Sequence, residues 1–112
     1  MIDAENIGEI IAIYDKHDWL LRRVLLSADT KARVAAELSQ FIDDIQVIDS
    51  TIDAAWFSRD PIPGGVAWEI RHLSETPYAL VENLDEFSPD FEESLRSVEA
   101  RLKESIGKAK SA

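Results

Sequence analysis

Hydrophobic and polar positions change period several times along the 112-residue chain, and each change marks an element. Ile7, Ile10, Ile11 and Tyr14 recur at the spacing of one helical face, with Glu5 and Glu9 on other faces. That pattern predicts a short amphipathic helix ending between Asp15 and Asp18. The run WLLRRVLLS, Trp19 to Ser27, is short, apolar and bounded by polar residues, as a strand should be. Ser27 or Asp29 then caps a second helix whose buried stripe is Val34, Leu38, Phe41 and Ile42. The segment DDIQVIDSTID is ambiguous: Ile45, Val47 and Ile48 fit a short strand or a packed connection.

Two runs rich in aromatic and branched residues follow, IDAAWFS (Ile52 to Ser58) and VAWEIRHL (Val66 to Leu73). They are joined by RDPIPGG, whose prolines lack backbone donors and whose glycines permit positive φ, so the three segments read as a hairpin. A turn at SETP leads into YALVENL, Tyr78 to Leu84, completing an antiparallel meander. In the last element Ser88 caps, Pro89 suits the first helical position, and Asp90, Glu92 and Glu93 favour the positive end of the helix dipole. Phe91, Leu95, Val98, Leu102 and Ile106 form its apolar stripe, with Glu92–Arg96 and Glu99–Lys103 as outward pairs. Gly107 is expected to end it and leave residues 107–112 as a frayed tail.

The expected fold is a single two-layer α+β domain over residues 1–112. A four-stranded, mainly antiparallel sheet packs one face against about three helices, in the order α-β-α-β-β-β-α. Register is argued from charge. Placing Ser58 opposite Val66 sets Trp56 opposite Trp68, Ala54 opposite Ile70 and Asp53 opposite Arg71, which avoids facing Asp53 with Glu69. One face then carries Ile52, Trp56, Val66, Trp68, Ile70, Tyr78 and Leu80, the core side, where the tryptophans are packing residues. The other carries Asp53, Ala55, Phe57, Ala67, Glu69, Arg71, Ala79 and Val81, extended by Trp19, Leu21, Arg23 and Leu25.

Composition narrows the chemistry. Twelve Lys and Arg stand against 22 Asp and Glu, for a net charge of −10, with the basic residues scattered. That balance disfavours nucleic acid and anionic membrane surfaces as partners. The chain has no Cys, which excludes disulfides, thiolate zinc sites and a Cys nucleophile. The N-terminal MIDAENIGEII has neither the basic segment nor the apolar run of a signal peptide, so a cytoplasmic protein is expected. Two His without metal-ligand spacing, and an acidic run from Asp43 to Asp53 without the glycine and glutamate of a calcium loop, imply no metal. PIPGG lacks the Lys-Ser/Thr tail of a phosphate loop, and no cofactor is expected.

The site candidates are few. Arg71, Glu69 and Asp53 form either an anion-orienting group or a cross-strand ion-pair ladder, the plainer account. His72 beside Tyr78 has acid–base potential without an accompanying nucleophile. Arg59 and His72 lie at opposite ends of one strand, about 20 Å apart, too far to share a small ligand. The open face, with Phe57 and Val81 among small residues, is the expected partner surface. The sequence therefore reads as a non-catalytic interaction or adaptor module, a homodimer through its sheet or the binder of another protein. The alternative is a small-ligand-binding protein or small enzyme using Arg71, Glu69 and Arg23. A connection from Asp43 to Thr51 folding back over that face would remove the surface.

Overall fold

The computed structural model describes residues 3–38, 45–59, 66–74 and 78–111, with side chains as far as Gly107. Phe41, Ile42 and all of RDPIPGG and SETP beyond Arg59 and Ser74 lie outside the described residues. The elements are α1 (Ala4–Lys16), β1 (Leu20–Leu26), α2 (Ala28–Leu38), β2 (Gln46–Asp49), β3 (Ala54–Arg59), β4 (Val66–His72), β5 (Ala79–Leu84) and α3 (Phe91–Ser111).

The chain is α+β, and β3, β4 and β5 form the expected antiparallel meander. The sheet has five strands in the order β2-β1-β3-β4-β5, one more than the sequence reading allowed. The additional strand comes from the ambiguous segment. Helix α2 carries the chain back along the sheet, so β2 pairs parallel to β1 at the sheet's outer edge. Residues 46–49 therefore lengthen the sheet and do not fold over its face.

Helices cover both faces, not one. Ile7 of α1 and Val34 and Leu38 of α2 pack with Val24, Leu26, Ala55 and Phe57. On the opposite side Phe91, Leu95, Val98, Leu102 and Ile106 of α3 pack with Leu25, Ala54, Trp56, Trp68 and Ile70. Ala54 to Ser58 of β3 are all buried. A strand without polar alternation has to be covered on each side, as in buried parallel sheets. Burying each large stripe residue of α3 contributes about 1.5–3 kcal/mol.

Local capping explains the helix starts. Asp3 and Asn6 exchange backbone and side-chain hydrogen bonds at the head of α1. Ser27 caps α2, and Asp53 accepts from the Ser27 amide at 2.8 Å and the Thr30 hydroxyl at 2.7 Å. The Asp53 side chain is thus turned to α2, while its carbonyl accepts from the Leu73 amide at 2.8 Å, in step with the β3–β4 ladder. Trp56 pairs with Ile70 and Ser58 with Trp68, two residues from the expected alignment. The Asp53–Arg71 pair on which that alignment rested is replaced by the helix cap. The two-residue shift leaves the face assignment of β3 and β4 intact, and the two tryptophans meet edge to face at 6.2 Å.

The face assignment of β1 does change. Leu21 pairs with Phe57 and Arg23 with Trp56, so Arg22 is the extra residue of a β-bulge. Before the bulge Trp19 and Leu21 lie on the α1 side; after it Leu25 lies on the α3 side with Arg23. Helix α3 also departs from expectation at two points. It continues through Gly107 to Ser111, because Gly lowers helix stability without imposing a stop. Glu99 lies inward, 5% exposed, rather than on the outer face with Lys103.

Candidate functional site

The sequence candidates are distributed over both faces of the sheet. Phe57 is buried beneath Tyr14, whose ring stacks on it at 4.0 Å. Asp53 holds the α2 cap residue Ser27 and the Thr30 hydroxyl. Arg23, on the α3 side, makes two hydrogen bonds to Glu92 at 2.8 and 2.7 Å and lies 5.8 Å from the Phe91 ring. Glu69 and Arg71 face the α1 side, so the Arg71, Glu69 and Arg23 group is not brought together. His72 Nδ1 lies 3.0 Å from Ser74 Oγ in a turn that also closes the Ser74 amide onto the His72 carbonyl at 3.1 Å. Tyr78 lies against the same ring at 6.5 Å. The His72 amide donates to the Tyr78 carbonyl at 2.8 Å, so strand pairing accounts for the closeness of the two rings.

Among the described residues the covering layer on the α1 side stops halfway. The α1 and α2 stripes pack on β1 and β3, while Ala79, Val81 and Asn83 of β5 are exposed and Ala67 and Glu69 of β4 half-buried. At the boundary the Tyr14 hydroxyl donates to Glu69. Burial first, and this hydrogen bond second, push the Tyr14 phenol well above its ordinary value, against the opposing charge of Arg71. A shallow cavity of about 300 Å³ follows the step, lined by Ile13, Tyr14, His17, Trp19, Arg59 and Glu69. Ile13 is 58% exposed and Val81 54%. Glu69 pairs with Val81 across the ladder, so these apolar groups flank one carboxylate.

A second feature occupies the end of the sheet where β1 begins and β3 ends. Here alternation from Leu21 sends Arg22 to the α3 side, where its guanidinium lies 4.6 Å from the Trp68 ring centre. Arg22 donates to Ser58 Oγ at 3.0 Å and to Glu86 at 2.7 Å. Arg59 lies 4.7 Å from the Trp19 ring and donates to the His17 carbonyl at 3.3 Å. Ser58 is held by a guanidinium, a donor and not a base, so the contact does not activate its hydroxyl. None of Arg22, Ser58 or Glu86 was singled out by sequence reasoning. The signal available was the Arg22–Arg23 pair inside an apolar strand, which normal alternation sends to opposite faces.

Ion pairing at Arg23 and Glu92 is mutual: the hydrogen bonds to Arg23 lower the Glu92 carboxyl, and those to Glu92 raise the Arg23 guanidinium. Among the described residues no group of three His, Asp or Glu is placed to hold a metal ion, and no helix is long and apolar enough to cross a membrane. Compared with protein-family models, curated proteins and solved structures, the chain matches none.

Proposed function

We propose that the chain is a non-catalytic interaction module that self-associates, each α1 seating on the bare β4–β5 half of a second copy. The observation that carries this reading is the half-finished helical layer, which leaves Val81 and Ile13 in water on either side of a step. A two-fold axis running along the strands superposes the raised half of one copy on the low half of the other, the self-complementarity that an isologous dimer requires. Ala67 and Ala79 allow a helix close approach. Glu9, Ile13 and Lys16 fall on one exposed face of α1, at helical spacing. In this arrangement Ile13 meets the Val81 region, Glu9 meets Arg71, and Lys16 meets Glu69. The proposed interface thus keeps Glu69 and Arg71 from the sequence reading and drops Phe57 and Asp53, which the fold uses internally.

Sedimentation velocity tests the reading. The wild type is expected to dimerise at tens of micromolar, and Ile13→Glu to be monomeric while keeping its circular dichroism. A monomeric wild type refutes self-association; a dimer indifferent to Ile13→Glu puts the contact on another surface.

A further inference from the structure

The strand-end cleft has a volume of about 560 Å³ and is lined by Asp15, Asp18, Trp19, Leu20, Arg22, Ser58, Arg59, Val66 and Glu86. That volume falls within the range of small-molecule sites. We propose that it binds a small organic carboxylate, whose head group takes the place of Glu86 on Arg22 while its apolar body rests on Leu20, Val66 and Trp19.

Three observations converge on this chemistry. The first is that Arg22 is already positioned. The Trp68 ring beneath it and the Ser58 hydroxyl fix the guanidinium, and its other terminal nitrogen points to a carboxylate 2.7 Å away. Guanidinium groups held in this way recognise planar carboxylates with directional hydrogen bonds. The second is that the resident carboxylate is exchangeable. Glu86 belongs to the turn between β5 and α3, and the two side chains of the pair remain 32% and 34% exposed. An ion pair that wet contributes little to stability, so a ligand displaces it cheaply.

The third is the wall. Leu20 is 63% exposed at the mouth, an unusual position for a large aliphatic residue at the start of a strand, and Val66 and Trp19 extend its surface. Asp15 and Asp18 line the same cleft and disfavour a dianion, so a monoanionic carboxylate is preferred to a phosphate monoester. The site goes beyond the dimer, and its test reads different residues.

Phenylacetate is a suitable probe, followed by amide NMR shifts in the wild type, Glu86→Gln and Arg22→Gln. Binding near millimolar is expected, with saturable shifts gathered at Leu20, Arg22, Ser58 and Val66. Removing the internal competitor in Glu86→Gln should tighten binding about threefold, and Arg22→Gln should weaken it about tenfold or more. Phenylacetamide, the neutral isostere, should give no saturable shift, and phenyl phosphate should bind more weakly than phenylacetate. The proposal is overturned if neither the wild type nor Glu86→Gln gives saturable shifts, or if phenylacetamide or phenyl phosphate binds as well. Shifts gathered away from the cleft also overturn it. If Arg22→Gln does not fold, Glu86→Gln still decides, since Glu86 sits on an exposed turn: unchanged or weaker binding there contradicts the exchange.

Discussion

Trp56 and Trp68 share one face of the sheet and one aromatic contact, yet their indole nitrogens differ in circumstance. Trp56 Nε1 donates to the buried Glu99 at 2.9 Å, and Glu99 in turn receives two hydrogen bonds from Arg96 at 2.9 and 3.0 Å. Trp68 Nε1 is buried with no hydrogen-bond partner among the described residues. Replacing either ring by phenylalanine removes similar apolar volume, so the difference isolates the polar term. Trp56→Phe should cost about 1–3 kcal/mol more than Trp68→Phe, because it leaves the inward carboxylate without its indole partner. Urea unfolding of the two variants measures this, and equal losses would show the Glu99 contact to be energetically neutral. Tyr14 supplies a second residue-level test. Its phenol is raised by burial and by Glu69, so the folded state keeps the proton where the unfolded chain releases it. This contribution is fully present below about pH 10 and is lost as pH rises toward the folded value. Stability of the wild type should fall above about pH 10 more steeply than that of Tyr14→Phe, read from denaturant midpoints across that range.

Among the elements, α3 offers the simplest intervention. Gly107 lies within the helix, exposed, and a Cβ built there meets nothing within 4 Å. Gly107→Ala should therefore stabilise the protein by about 0.5–1 kcal/mol, seen as a higher urea midpoint at unchanged slope. The α3 stripe, the meander and the α1 stripe were all legible, because period alone identifies them. What period could not show was how many faces of the sheet are covered. Ala54 to Phe57 is a continuous apolar run in which Trp56 and Phe57 point opposite ways, and that run was itself a sign of burial on both sides. The bulge at Arg22 was out of reach for a different reason. One inserted residue inverts the facing of everything after it, so alternation read from Trp19 onward places Arg23 and Leu25 on the wrong side. Of the expected site residues, Arg23 was lost through that inversion and Asp53 through its hold on the Ser27 cap of α2.

For the molecule as a whole, charge and shape oppose one another. A net charge of −10 repels a second copy at long range, whereas the stepped α1 side favours one on contact. Salt screens the repulsion within about 8 Å at physiological ionic strength. The exposed Glu9–Arg71 and Lys16–Glu69 contacts contribute little, so dimerisation should strengthen as salt rises from low concentration, and sedimentation across a salt series checks it. The absence of Cys from the chain permits a more direct measurement. Ile13→Cys and Val81→Cys are made as separate proteins, mixed, allowed to exchange and then oxidised gently. A disulfide forms readily only when the two Cα atoms come within about 7 Å. Seating of α1 on the partner's β5 places the two introduced thiols together across the interface, so the mixture should yield a covalent dimer linking the two variants in preference to either variant linked to itself. No mixed disulfide, or one no more abundant than the self-linked products, would contradict the dimer described here.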